Sequence, residues 1–295
     1  MHYALVDGYN MAFRAYYGMP DLTRGDGFPT GALHGWVRTL WWIEDHLKPD
    51  RLVVFFDLGG ASRQTALHAD YKANRTDTPE PLAQQIPLIK EWTRAMGYGG
   101  LEVDGVEADD LIGSAANQIA KAGDRVSIIS ADKDLAQLLR PGVTQWLPPP
   151  TANPKLGWRE LDEDGVVVKF GVTPAQIPDL LALVGDTADN IPGIPGVGLK
   201  TAAKWLVQYT SLQGILDHSG EILPKRFQGI IHAARGTLQR NLEMTRLDVS
   251  HSVDLSNRPE VDSARAIGLL EEMEMQRSAE QGKVRLASSA HGLIE

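Results

Sequence analysis

The sequence predicts an α/β protein, a mostly parallel sheet flanked by helices, followed by a smaller all-helical part. Three observations carry that reading. Short apolar runs bounded by turn residues alternate with helical patterns, as in sheets built from strand–helix–strand units. Each of those runs ends in an acid, or in a turn leading to one. A proline-rich stretch then gives way to a region whose apolar spacing is helical throughout.

Taken in order, "HYALVDG" is a strand-like run ending at Asp7, and "RLVVFFDLGG" is a β-branched and aromatic run ending at Asp57. "LEVDGVEADD" offers a short strand before Glu107, Asp109 and Asp110, and "RVSIISADKD" runs through Val126–Ile129 to Asp132 and Asp134. Apolar runs this short read as buried strands. Between them, "TGALHGWVRTLWWIEDHLK" and the segment bearing Leu111, Ile112, Ala115, Ala116 and Ile119 read as helices, because residues three and four apart share a face. "LPPPTANPKLGWRELDEDG" reads as an irregular crossing. Beyond it, "PAQIPDLLALVG", "LKTAAKWLVQY", "SLQGILDHS" and "PKRFQGIIHAARGTLQRNLEMTRL" form the helical part. The expected divisions are 1–165 and 166–280, with a tail of little pattern at 281–295.

Composition narrows the function classes. The 295 residues are 43% hydrophobic and 23% charged, ordinary for a globular chain, and the absence of cysteine excludes disulfides and thiolate metal sites. The N-terminus lacks a basic segment followed by a long apolar run, and no apolar stretch is long enough to span a bilayer. A cytoplasmic location without membrane attachment is the expectation. The eight histidines show no H-E-x-x-H spacing, and the Trp41–Trp42 pair reads as core. The net charge of −9 counts against a nucleic-acid binder unless a local basic face offsets it.

In open parallel sheets the ligand site lies beyond the carboxyl ends of the strands, so the strand-end acids converge there. Asp186 and Asp189 add two more from the helical part. Singly, each acid is accounted for by a helix cap, a turn or the helix dipole. Jointly they would raise one another's pKa and cost stability unless cations neutralise them. Hard divalent ions such as Mg²⁺ prefer carboxylate oxygens, and two such ions roughly 3.5–4 Å apart can clamp the attacking and leaving oxygens of a phosphodiester.

Basic residues lie close by in the chain. Arg14 follows Asp7, and "ADYKANRTDTP" supplies Tyr71, Lys72 and Arg75. Lys72 and Arg75 share a face if their segment is helical; they are plain solvated charges otherwise, but beside metal-bound acids they would meet a phosphate. Tyr71 offers a surface for stacking a base. "GIPGVGLKTAAK" looks like a phosphate-binding loop, yet Leu199 separates Gly198 from Lys200 and no strand pattern precedes the glycines. It reads better as a tight turn between helices, with Gly193, Gly196 and Gly198 permitting close backbone approach. A helix start there, with Lys200, Thr201 and Lys204, could hold a DNA phosphate; a plain helical hairpin is the alternative.

These residues resemble a known family. "LVDGYNMAFRAYY", "FPTGALHGWVRTL", "RLVVFFD", "YKANR", "QIPLIKEWTRAMG", "GVEADDLIG", "ADKDLAQLL" and "FGVTPAQIPDLLALVGDTADNIPGIPGVGLKTAAKWL" are similar, in order, to motifs of the 5′-nuclease (flap endonuclease) family. That family includes the 5′–3′ exonuclease domain of bacterial DNA polymerase I and the phage flap endonucleases. The resemblance implies a Rossmann-like (PIN-like) sheet, a helical arch at about 59–97 and a helix–three-turn–helix clamp at about 180–206. It implies two Mg²⁺, replaceable by Mn²⁺, and hydrolysis of DNA with 5′ flaps, 5′ ends or branches by a monomer, for replication and repair.

Carried over by motif, Asp7, Asp57, Glu107 and Asp109 resemble the ligands of a first ion, with Asp110 behind them in the metal set. Asp132, Asp134, Asp186 and Asp189 resemble those of a second. Arg14, Lys72 and Arg75 match contacts to the scissile phosphate, and Tyr71 a base contact. The Gly193–Lys204 segment matches a duplex grip that binds K⁺ through backbone carbonyls, which Lys225 and Arg226 extend. Ala131 stands where many relatives have glycine, with little effect expected. The complete acid set favours an active enzyme over a non-catalytic DNA-junction binder. A PIN-type ribonuclease fits the sheet but leaves the clamp unexplained. A stand-alone nuclease is expected rather than an excised polymerase domain.

Overall fold

The computed structural model describes all residues except 60, 61, 75, 257 and 292–295. Strands His2–Asp7 (β1), Arg51–Phe55 (β2), Gly99–Leu101 (β3), Arg125–Ile129 (β4), Val143–Leu147 (β5) and Arg159–Leu161 (β6) form a six-stranded sheet ordered β3-β2-β1-β4-β5-β6. All neighbours are parallel except β5 and β6. β1 lies between β2 and β4, with Asp7 opposite Phe55 and Val6 opposite Ile129. That register places the carboxyl ends of the three strands side by side.

A central strand covered on both faces must be apolar at every position, and β1 is buried from Tyr3 to Asp7. Successive side chains divide between two cores, as the strand period requires. Tyr3, Leu5, Val53 and Phe55 pack with Leu111, Ile112 and Ala115 of helix Ala108–Lys121, while Ala4, Val6, Leu52 and Val54 pack with Trp36, Leu40, Ile89 and Trp92. The helices before that one are Gly8–Gly18 (α1), Gly31–Leu47 (α2), Ser62–Leu67 (α3), Glu80–Ala83 (α4) and Ile86–Ala95 (α5), which makes Ala108–Lys121 α6. At Gly8, a Cβ would lie 2.5 Å from Phe56 Cδ1 and 2.6 Å from the Phe55 carbonyl oxygen, so only glycine lets α1 leave β1 this close to β2.

The helical part comprises Glu163–Phe170 (α7), Ile177–Val184 (α8), a two-strand ribbon of Gly185–Asp186 (β7) and Ile191–Pro192 (β8), then Leu199–Tyr209 (α9), Leu212–Asp217 (α10), Gln228–Ala233 (α11) and Arg235–Thr245 (α12). Its core is continuous with one face of the sheet, since Leu180, Trp205 and Ile215 belong to the same cluster as Leu5 and Leu135. Helices Ser263–Glu272 (α13) and Gln276–His291 (α14) return to the other face, where Leu269, Leu270 and Ala279 join the core of α2 and α5.

Four features differ from the sequence expectation. β5 and β6 were not expected, and β6 lies inside the proline-rich crossing; with Arg159 and Glu160 exposed on an antiparallel edge it makes no apolar run. The expected tail continues as α14 to His291, held by Arg285, which ion-pairs with Asp45 and stands 3.3 Å from Glu44. Tertiary ion pairs leave little apolar periodicity to read. Of the expected arch, α5 is core rather than arch, because Ile89 and Trp92 are fully buried. A strand does precede Gly193, but β8 has two residues in an antiparallel ribbon, not the parallel strand of a phosphate-binding loop. Among the described residues no single helix is long and apolar enough to cross a membrane.

Candidate metal centre

At the carboxyl edge of the sheet a cavity of about 360 Å³ is lined by Asp7, Asp57, Glu107, Asp109 and Asp132, together with Arg14, Lys72, Asn10 and Thr151. Local structure fixes each acid. Asp7 caps α1, its Oδ1 accepting from the Asn10 amide at 3.2 Å, and its Oδ2 accepts from Ser130 Oγ at 2.8 Å. Asp57, two residues past β2, accepts from the Ala108 amide at 2.8 Å and so ties that strand end to the start of α6. Glu107 is the residue before α6, and Asp109 lies in its first turn, with Oδ1 accepting from the Asp110 amide at 2.8 Å. The Asp132 amide donates to Ser130 Oγ at 3.0 Å, while Asp132 Oδ1 accepts from the Asp134 amide at 2.9 Å.

A second group lies alongside. Ligand oxygens of Asp134, Asp186 and Asp189 all fall within 4.8 Å of one another. Asp134 opens the short 3-10 helix after β4, Asp186 ends β7, and Asp189 lies in the turn to β8. Asp186 Oδ1 accepts from the Ala188 amide at 2.8 Å.

The two groups sense each other through Asp132. Burial first and Asp132 second push Asp7 up to about 7, and the same two causes push Asp134 up to about 7. Burial, then Glu107 and Asp110, hold Asp109 well above the ordinary carboxylate range. Burial also raises Glu107, against the pull of Lys72. Asp186 goes the other way: burial, the largest single cause, pushes it up, but Lys133 together with the Ala188 and Asp189 amides leaves it below the ordinary value. Protons are thus held where carboxylates crowd without metal. The donors are hard carboxylate oxygens, and one of them, the buried Asp134 Oδ1, accepts no hydrogen bond among the described residues. This donor set fits divalent cations.

The basic residues divide. Lys72 occupies a turn at φ +58°, its ammonium paired with Glu107 and its amide donating to the Asp189 carbonyl at 3.1 Å. The helical spacing with Arg75 therefore does not apply at Lys72, and Arg75 itself lies outside the described residues. The Tyr71 hydroxyl donates toward Glu107 Oε2 at 3.3 Å and Asp189 Oδ2 at 3.4 Å, so the ring is directed at the acids, with Lys72 4.9 Å above it. Arg14 reaches the cavity from α1, donating to the Pro149 carbonyl. Asp110 does not line the cavity; its Oδ1 accepts from the Asp248 amide at 2.7 Å, which turns it into the packing behind α6.

The glycine-rich segment joins α8 to α9 through the ribbon. A Cβ at Gly193 would lie 2.0 Å from the Val184 carbonyl oxygen, so the close backbone approach is real at that position. Gly196 turns at φ +78° and Gly198 precedes α9, leaving Lys200 and Lys204 exposed and Thr201 half-buried. Phe227 packs edge-on against Trp205 of α9 at 5.4 Å, which brings exposed Lys225 and Arg226 beside that helix.

Sequence reasoning missed Asn10, whose Oδ1 accepts from the Ala131 amide at 3.0 Å, and Ser130, whose hydroxyl bridges Asp7 and Asp132. It also missed Asn241, fully buried, whose Nδ2 donates to the Ala182 carbonyl at 3.1 Å and the Pro192 carbonyl at 2.7 Å and so fastens α12 to the α8–β8 corner. Asn10 sits inside the "LVDGYNMAFRAYY" motif, but no local pattern marks the role of any of the three, because their partners are distant in the chain. Trp41 is core as expected, whereas Trp42 is half-buried and stacks on Trp158 at 4.2 Å.

A parallel sheet with acids at adjoining strand ends, completed by acids from a helical appendage, defines a metal-dependent class of phosphodiester hydrolase. Residues 2–171 match the family described as 5′-3′ exonuclease, N-terminal resolvase-like domain, and residues 172–264 match 5′-3′ exonuclease, C-terminal SAM fold. The chain belongs to the 5′-3′ exonuclease family. A 5′-3′ exonuclease of Aquifex aeolicus is 36% identical over 277 residues, covering 92% of this chain and 91% of that one. DNA polymerase I of Rhizobium leguminosarum is 37% identical over 286 residues, 92% of this chain but 27% of the polymerase, so the chain spans about a quarter of that relative. The fold is shared with T5 5′-exonuclease solved with bound zinc, at TM-score 0.69 and 20% identity over 98% of this chain and 99% of that one.

Proposed function

We propose that this chain is a structure-specific 5′ nuclease that hydrolyses phosphodiester bonds in DNA with 5′ flaps, 5′ ends or branches, using two Mg²⁺ that Mn²⁺ can replace. The observation that carries the proposal is the meeting of Asp7, Asp57, Glu107, Asp109 and Asp132 in one cavity with Arg14 and Lys72, next to the Asp134–Asp186–Asp189 group. Asp7, Asp57, Glu107 and Asp109 would hold one ion, and Asp132, Asp134, Asp186 and Asp189 the other. When bound, the ions supply Lewis-acid polarisation of the phosphate and activation of the attacking water.

The chain's own residues do the rest. Ser130, donating to the Asp7 carboxylate and accepting from the Asp132 amide, would hold ligands of the two ions beside each other. Lys72 exchanges Glu107 for a non-bridging phosphate oxygen once cations neutralise the acids, and Arg14 approaches the same phosphate from α1. Arg75 adds to that charge, and Tyr71 stacks on a base after leaving the acids. Lys200, Thr201, Lys204, Lys225 and Arg226 grip the duplex through its phosphates, with K⁺ held by carbonyls of the Gly193–Gly198 turn. The protein acts as a monomer in the cytoplasm, where its DNA is found.

Mapping products from flap, nicked, blunt and single-stranded DNA, and from a matched RNA flap, in Mg²⁺ and in Mn²⁺ tests the proposal. The expected result is metal-dependent cutting near the 5′ junction of DNA. Preference for the RNA flap, or intact DNA after prolonged incubation, would contradict it.

A further inference from the structure

Lys133 lies inside the second acid group. Its ammonium pairs with Asp186 and stands 3.3 Å from Asp134 Oδ1, so it rests against two of the three carboxylates whose oxygens lie within 4.8 Å of one another. The contact with Asp134 is one of charge only, since Asp134 Oδ1 is buried and accepts no hydrogen bond among the described residues. An oxygen in that position awaits a cation that can approach along its lone pair. The lysine side chain keeps 39% of its surface open, which leaves it a path outward.

We propose that Lys133 is a tethered counter-ion of the second cation site: it holds Asp134 and Asp186 together before metal arrives and is displaced when a divalent ion takes their oxygens. The inference rests on the two-ion reading of Asp132, Asp134, Asp186 and Asp189. A divalent ion binds carboxylate oxygens at about 2.0–2.6 Å, too close for an ammonium to keep the same lone pairs, and like charges then drive the lysine toward solvent. Lys133 thereby sets how much metal the second site requires. It does not touch the scissile phosphate in this role; it acts through the ligands, as a positioning residue.

Two readouts separate this role from plain structural support. Removing a structural ion pair lowers both the melting temperature and the metal affinity. Removing a competing counter-ion lowers the first and raises the second. The experiment titrates metal-free protein with Mn²⁺, following free Mn²⁺ by electron paramagnetic resonance, for the natural chain, Lys133→Gln, Lys133→Met and Lys133→Arg, with thermal melting in EDTA alongside. The natural chain should bind two ions. Both neutral variants should melt lower in EDTA yet bind the weaker ion about tenfold more tightly, the scale of one neighbouring charge at such a site. Lys133→Arg should stay within about twofold of the natural chain. Two ions in every variant with an unchanged or weaker second affinity would overturn the role of Lys133 alone. A single ion in the natural chain would overturn the two-ion reading, and this inference with it.

Discussion

Replacing Asp7 by asparagine should stabilise the metal-free protein clearly at pH 8 and hardly at all at pH 5. Asp7 is 8% exposed, and its carboxyl is pushed up to about 7 by burial and then by Asp132. Its ordinary value is 3.8, so the folded chain binds a proton between pH 4 and 7 that the unfolded chain has released. The stabilisation is therefore fully present below the unfolded value and is lost as pH rises through 7. Holding the ionised form at pH 8 costs roughly 4 kcal/mol by that difference. Asparagine removes this cost and can keep the cap on the Asn10 amide, but gives up the carboxylate's bond from Ser130, at about 1 kcal/mol. The net expectation in EDTA is a gain of about 3 kcal/mol at pH 8 that shrinks to about 0.5 kcal/mol at pH 5, where the raised value costs only about 1.6 kcal/mol. Urea unfolding of both proteins at the two pH values measures it. Millimolar Mg²⁺ should raise the melting temperature of the natural chain at pH 8 and flatten its pH dependence, because cations favour the ionised carboxylate. A variant whose stability relative to the natural chain is the same at pH 8 as at pH 5 would refute the reasoning.

Further outcomes follow from other contacts. Lys72→Met should lower single-turnover cleavage about 10²–10³-fold while leaving DNA affinity within a few-fold, as loss of a donor to a transition-state charge does; fluorescence anisotropy beside rapid quench separates the two. Gly193→Ala drives a Cβ to 2.0 Å from the Val184 carbonyl oxygen, so unfolding free energy should fall by about 3 kcal/mol and duplex binding should weaken with it. Asn241→Ala strands the Ala182 and Pro192 carbonyls, and a loss of about 2–4 kcal/mol in urea titration is expected, with cleavage by the folded fraction little changed.

The acids were legible in the sequence because a parallel sheet forces strand ends to one edge, and an apolar run ending in aspartate marks that edge without any knowledge of neighbours. The tight turn between α8 and α9 at Gly193 was legible for a similar reason, since glycines and a following helical period are local signals, though the ribbon inside it was not. What escaped was set by distance along the chain. Ser130 joins Asp7 to Asp132 only after β1 and β4 pair, and Asn241 reaches α8 and β8 only when α12 packs. Asp110 shows the limit of spacing arguments: it sits next to a cavity-lining acid, yet one step around α6 turns it 100° away, toward the Asp248 amide. Lys72 does line the cavity, but the helical condition for sharing a face with Arg75, which lies outside the described residues, is not met at Lys72. Shared faces presuppose a helix, and the chain at Lys72 turns with positive φ to reach Asp189 and Glu107.

The central claim is that the converging carboxylates work as a two-ion centre on 5′-branched DNA. Asp132 is the residue to test, because it lines the cavity and its charge bears on Asp7, Asp109 and Asp134. The decisive measurement is single-turnover cleavage of a 5′-flap substrate in Mg²⁺ by the natural chain and by Asp132→Asn, with an EDTA control. The account predicts cleavage that EDTA abolishes and that the substitution slows by roughly 10³-fold or more, with flap binding retained. Cleavage that persists in EDTA, or that Asp132→Asn leaves unchanged, would contradict it.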